Sequence, residues 1–254
     1  MSRILMSIVL IAVALYLALC AGLWVFQRAL IYYPQARSAD SATTLLRLAV
    51  DETQVLVSVR QRDAPQALIY FGGNAEDVSA NLPQFAQAFA DHALYLMHYR
   101  GFGGSGGSPS EEAIAADALA LFDQVYAKHR QVVVVGRSLG SGVAVRLASQ
   151  RPVARLILIT PYNSLEELAA RQLPIFPVHW LLRDRYDSWK YAPRIQVPTL
   201  LLAAEHDEVI PRASTERLLR QFAPGVARLE VIPGTGHNSI AASPRYLPLL
   251  RDGM

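Results

Sequence analysis

Ser138, Asp207 and His237 are the three residues whose types, order and surroundings could together do chemistry. Ser138 sits in Gly136-Arg137-Ser138-Leu139-Gly140, directly after four valines at 132–135 and directly before the apolar stretch 143–148. Four β-branched residues in a row read as a buried strand, and residues 143–148 read as a helix. A strand that turns sharply into a helix strains its middle residue and needs small neighbours, which Gly136 and Gly140 supply. Such a turn lifts a serine hydroxyl out of the carboxyl edge of a sheet. It also leaves the Leu139 N–H at a helix N-terminus, where partial positive charge favours an oxyanion. The chemistry this arrangement suits is acyl transfer.

A serine hydroxyl needs a base within hydrogen-bond reach, and the base needs a carboxylate to orient it. In an open α/β sheet these groups come from loops at the carboxyl ends of strands. Asp207 follows the apolar strand 199–203, and His237 follows the last strand, 227–232. Glu205 and Glu208 flank the proposed acid and compete for its role. His92 and His129 close helices, His98 ends a strand beside a glycine loop where it could line a site, His206 points away if Asp207 points inward, and His179 belongs to a surface or lid. The second oxyanion donor is expected from Gly72-Gly73-Asn74, with the Asn74 N–H as the choice.

The elements that would position these groups alternate. Residues 45–50 and 55–59 read as a hairpin at a sheet edge, and 67–71, 93–97, 131–135, 155–160, 199–203 and 227–232 as further strands. Helices are expected at about 75–91, with Leu82, Phe85, Ala86 and Phe89 on one face, at 113–128 after a Ser110 cap, from the serine turn to about 150, and at 211–222. Residues 161–194, broken by prolines, read as an irregular insert. The class is α/β: a mostly parallel, doubly wound sheet with helices on both faces.

The chain of 254 residues is long enough for one large domain. A net charge of +3 and the lack of a basic run argue against a nucleic-acid partner. With Cys20 as the only cysteine, an internal disulfide and a cysteine metal cluster are excluded. Residues 4–26 are almost wholly apolar between Arg3 and Arg28. Roughly 23 residues at ~1.5 Å rise give ~34 Å, enough for a ~30 Å hydrocarbon core. The run continues past the lipobox-like 17–20, which favours an uncleaved signal anchor, with Trp24, Tyr32 and Tyr33 as interfacial aromatics. The expected division is residues 1–33 as transmembrane anchor and interface and 34–254 as the catalytic domain, with a polar spacer at 35–42. Arg3 favours a cytoplasmic N-terminus and an exported domain, periplasmic or luminal, against the pull of Arg28 and Arg37.

These motifs together resemble the α/β-hydrolase superfamily. More narrowly, the chain is similar to its membrane-anchored, Bem46-like branch, related to the ABHD13 and ABHD17 types and to the serine aminopeptidase (S33-type) group. The resemblance rests on residues 27–34, the glycine loop 99–110, the serine turn 136–142 and the segment 180–188, and it covers nearly the whole chain. Two positions depart from the family pattern. Gly72 stands where a histidine is usual, and Ala203-Ala204 where His-Gly is frequent. The resemblance implies a membrane-tethered serine hydrolase acting on an ester, thioester or related acyl bond, with Ser138 as nucleophile, His237 as base, Asp207 as its carboxylate, and no cofactor or metal. The alternatives are an S33-like peptidase and a non-catalytic anchored binding module. Leu173, Ile175, Phe176, Trp180, Leu181 and Leu182 of the insert are expected either to form an acyl groove or to join the core. A lipid, an acylated protein or a small ester all suit such a site.

Overall fold

The computed structural model describes residues 2–38 and 44–253, so the spacer expected at 35–42 lies partly outside the described residues. The chain opens with a 29-residue helix α1 (Arg3–Ile31) and then forms the hairpin β1 (Thr44–Val50) and β2 (Thr53–Arg60). From there strands and helices alternate: β3 (Gln66–Phe71), α2 (Leu82–Ala88), β4 (Ala93–Met97), α3 (Glu111–Tyr126), β5 (Gln131–Arg137), α4 (Leu139–Ala148) and β6 (Arg155–Ile159). After the insert come β7 (Thr199–Ala204) and β8 (Ala227–Ile232). The eight strands form one sheet in the order β1-β2-β4-β3-β5-β6-β7-β8. β2 runs antiparallel to both β1 and β4, and every other pair is parallel.

The valine strand shows why both faces are covered. Val132 and Val134 join a core with Phe122 of α3 and Leu147 of α4, while Val133 and Val135 join a second core with Phe85 of α2 and Leu250. Period-two alternation sends successive side chains to opposite faces, so an unbroken apolar strand requires helices on each. The second face is closed by a helix not expected from the sequence, α9 (Tyr246–Asp252). It follows α8 (Arg212–Leu219), which lies within the expected 211–222.

Strand order places the site. From β3 the chain steps outward to β4 and returns to β5 on the other side of β3. The carboxyl ends of β3 and β5 therefore flank a switch point, where a crevice opens because adjacent connections leave in opposite directions. Asn74 and Ser138 lie at those two ends.

Three expectations change. The helix expected at 75–91 is a 3₁₀ turn, Val78–Asn81, followed by the seven-residue α2. The Asp77 carboxylate caps the Ser79 N–H at 3.0 Å, and Pro83 belongs only in a first helical turn, so one long helix gives way to two short pieces. The insert is not irregular but holds α5 (Leu165–Gln172), α6 (Val178–Leu181) and α7 (Ser188–Tyr191). Ser164 caps α5 by accepting from the Glu167 N–H at 3.1 Å. Tyr32 is no interfacial anchor: it is buried, donates to Asp184 at 3.0 Å and shares a hydrogen bond with Tyr186 at 2.9 Å.

Candidate active site

Ser138 leaves β5 with φ 49° and ψ −118°, the left-handed strain a turn of this kind imposes. The neighbouring glycines have no room for a side chain. A Cβ on Gly140 would lie 2.1 Å from the Phe71 carbonyl oxygen, and one on Gly136 would lie 2.3 Å from the Gly140 carbonyl. The elbow is thus pressed against β3 backbone to backbone. Ser138 donates its N–H to Ile159 at 2.9 Å, tying the strained residue to β6.

The loops after β7 and β8 bring the other two groups in. His237 Nε2 is 3.0 Å from Ser138 Oγ, and its Nδ1 is 3.0 and 3.1 Å from the Asp207 oxygens. The carboxylate fixes the tautomer: Nδ1–H donates to Asp207, so Nε2 accepts from the serine hydroxyl. Only 7% of either side chain is exposed, which shields the pair from water. Asp207 is itself held by the Val209 and Ile210 N–H groups at 3.0 and 2.7 Å. Glu205 instead accepts from the Gly234 N–H, and Glu208 from the His237 N–H at 3.0 Å. That backbone bond, first among its causes, lowers the Glu208 carboxyl below its ordinary value.

Asn74, Ser138 and Leu139 line one cavity. Among the described residues, neither the Asn74 nor the Leu139 N–H has a hydrogen-bond partner. Gly73, by contrast, spends its N–H on Glu76 at 2.7 Å. The remaining histidines lie elsewhere. His98 does not line the site: it is buried under Gly103 and bonded to Ser58 at 2.9 Å. His129 bridges Tyr95 and the Ala64 carbonyl, and His206 and His179 are exposed beside Glu205 and Glu166.

Glu76 and Arg137 are the residues that local sequence did not single out. Glu76 accepts from the Tyr70 hydroxyl, the Gly73 N–H, Asn81 and Arg137, at 2.7, 2.7, 2.6 and 3.2 Å. Arg137 Nη2 reaches the His237 carbonyl at 3.4 Å. One largely buried ion pair therefore ties together the loops that carry Asn74, Ser138 and His237. Burial works against the Arg137 charge, but Glu76 and neighbouring phenols outweigh it and hold its pKa above the ordinary arginine value. The packing of Val78, with Glu76 behind it, leaves no room at Gly72. A Cβ there would lie 2.5 Å from Val78 Cγ1 and 3.2 Å from Glu76, space the histidine of the family pattern would need.

The cavity beside Ser138 measures about 480 Å³, within the ~300–1,000 Å³ typical of ligand pockets. Among the described residues, no charged side chain lines it. Leu173, Phe176, Leu181 and Leu182 of the insert do, whereas Ile175 and Trp180 face outward. Its opposite wall is α1, through Leu23, Gln27, Leu30 and Ile31. The end of α1 is bolted to the oxyanion-side loop: Asn74 Nδ2 donates to Ile31, and the Tyr33 N–H donates to Asn74, each at 2.9 Å. Arg28 pairs with Asp184 at 3.0 Å behind it.

Comparison with known proteins agrees with this architecture. Residues 66–188 match the family model described as the alpha/beta hydrolase fold. The uncharacterized protein Rv2307c of Mycobacterium tuberculosis is 37% identical, over 85% of this chain and 82% of its own length. Protein bem46 of Schizosaccharomyces pombe is 24% identical over 91% of this chain and 86% of its own. Lysophosphatidylserine lipase ABHD12 of Xenopus tropicalis is 31% identical over 73% of this chain, which spans 56% of that protein. Among solved structures, the Pyrococcus furiosus esterase Pf2001 superposes with a TM-score of 0.68 at 15% identity, over 87% of this chain and 97% of its own. The chain belongs to the α/β-hydrolase family, and its similarity to protein bem46 is consistent with the Bem46-like branch.

Proposed function

We propose that this chain is a membrane-anchored serine hydrolase that cleaves an ester or thioester of an acyl group through Ser138, His237 and Asp207. The observation that carries the reading is the relay at 3.0 Å from Ser138 Oγ to His237 Nε2 and at 3.0 Å from Nδ1 to Asp207. His237 takes the hydroxyl proton as Oγ bonds to the carbonyl carbon, and Asp207 stabilises the imidazolium that forms. The N–H groups of Leu139 and Asn74 receive the oxyanion; one such donor is typically worth ~10²–10³ in rate. As the tetrahedral intermediate collapses, His237 returns the proton to the leaving alcohol or thiol, and the acyl group stays on Ser138. Water then gives its proton to His237 and attacks the acyl carbon, releasing the acid and restoring Ser138.

The uncharged, apolar cavity supports an acyl group rather than a peptide, since a free amino terminus finds no carboxylate there. The names of the ABHD12 lipase and the P. furiosus esterase point to the same bond class. Anchoring rests on α1, whose length and apolar composition suffice to cross a bilayer. With Arg28 engaged by Asp184, Arg3 favours a cytoplasmic N-terminus and an exported domain. The test is hydrolysis of a p-nitrophenyl ester series by the full-length protein in detergent. Turnover by the wild type with loss in His237→Ala supports the reading, and equal turnover by both overturns it.

A further inference from the structure

The domain does not simply hang from the end of α1; the insert climbs back along it. Gln27 binds the Leu181 carbonyl and the Arg183 N–H, the Arg183 guanidinium lies over Trp24, and Tyr16 stacks on Phe176 with its hydroxyl on the Ile175 carbonyl. Only residues 3–15 of α1 lie beyond these contacts. At 1.5 Å per residue those residues reach about 20 Å, whereas a hydrocarbon core is ~30 Å thick. A bilayer-spanning α1 must therefore use residues 16–22 for about the last 10 Å, and the insert tip that touches Tyr16 goes with them.

The tip is built for that depth. Residues 173–182 contain no charged side chain apart from the titratable His179, and Ile175 and Trp180 are 73% and 81% exposed. Arg171, Arg183 and Arg185 flank the tip in sequence, and the Arg183 guanidinium lies over Trp24, just past the residues the span uses. Hydrocarbon tolerates backbone only when its polar groups are satisfied internally. Here the N–H groups of Leu173, Phe176, Val178, Trp180, Leu181 and Leu182 donate to insert carbonyls and Pro174 and Pro177 have none to satisfy, which leaves those of Ile175 and His179 as the two without a partner among residues 173–182. Behind the tip, the cavity runs between α1 and the insert from Phe176 up to Ser138, walled by α1 residues at positions i, i+4, i+7 and i+8 from Leu23.

We propose that residues 173–182 sink into the leaflet beside α1, and that the cavity behind them draws one long acyl chain of a bilayer lipid ester up to Ser138. α1 is then a wall of the substrate site as well as a tether. This rests on the reading of Ser138 as nucleophile and of α1 as a membrane span.

Two arms test it on the full-length protein in phosphatidylcholine vesicles. In the first, Trp24→Phe and Trp189→Phe leave Trp180 as the sole tryptophan, and lipids brominated on their acyl chains are added. Quenching of Trp180 emission by half or more is expected. Emission unchanged by acyl-chain bromines, in protein that melts at the wild-type temperature, overturns the immersed tip. In the second arm, Leu23→Trp fills the cavity from the α1 side. The ratio of palmitoyl to butyryl ester hydrolysis should fall at least ten-fold, and an unchanged ratio overturns the cavity as the chain site. If Ser138 is not a nucleophile, no ester is turned over by the wild type, while the quenching arm still reads the depth of Trp180. The two failures are thus distinct.

Discussion

The sheet edge that carries Ser138 and the wall that α1 and the insert raise around its cavity are held by different forces. At the edge, backbone touches backbone, and Glu76, Arg137, Asp207 and the strand ends take up polar groups of the three loops, leaving the Asn74 and Leu139 N–H groups open to the cavity. In the wall, Leu23 and Leu30 of α1 and Leu165 and Leu168 of α5 line the cavity with apolar side chains, and Gln27 and Tyr16 supply the hydrogen bonds that join α1 to the insert. A site that must hold a nucleophile within tenths of an ångström needs the first kind of construction. A surface that must admit a flexible chain can use the second, where stabilisation follows summed apolar area. The contrast means that one atom added at the edge should cost more than several removed from the wall.

The largest effect sharpens the edge side. Asp207→Asn leaves the imidazole with the wrong tautomer and should lower kcat about ten-thousand-fold. Glu205→Gln, which faces Gly234 instead, should stay within the roughly 0.5 kcal/mol of an ordinary surface change. Ester hydrolysis by the two variants, side by side, decides which acid orients His237. Gly140→Ala comes next. Its methyl would collide with the Phe71 and Gly72 carbonyls, so we expect a loss of more than about 4 kcal/mol and no folded protein in detergent melts.

Arg137→Met probes the clamp. Removing one partner of a buried pair typically costs ~3–5 kcal/mol, because the other charge is left unpaired. Adding Glu76→Gln should return part of that loss, and a double-mutant cycle by thermal melting measures it. On the wall, Leu173→Ala should cost only about 1 kcal/mol and shift the preferred ester toward longer chains, read from the hydrolysis series.

A further effect concerns pH. Burial lowers His98 to about 4, Asp77 partly opposing and Arg37 adding to the shift. An unfolded chain takes up the proton near 6.5, whereas the folded one does not, so stability is retained above about pH 6.5 and lost as pH falls toward 4. The contribution is about 3 kcal/mol by pH 4. His98→Asn should flatten that part of the stability profile, which melts between pH 7 and 4.5 would show.

The same contrast explains what could be read from sequence. The strand pattern, the strained elbow between two glycines, and the histidine after the last strand all follow from local rules of period and turn chemistry. They pointed to Ser138 and His237, and position after β7 pointed to Asp207 with Glu205 and Glu208 left as competitors. Glu76 and Arg137 escaped notice because a pair 61 residues apart leaves no local signature. The docking of Tyr16 and Gln27 against the insert escaped for the same reason, and the unbroken apolar run of α1 read only as a membrane span. The helix expected at 75–91 breaks where Pro83 can sit only in a first turn, and the prolines of the insert mask its short helices.

The central claim is that His237 activates Ser138. The most direct measurement is fluorophosphonate labelling of membranes containing the full-length protein, beside the same membranes with Ser138→Ala. The account predicts labelling of the wild type and none of the variant. A folded wild type that resists the probe, or a variant that labels equally, would contradict it.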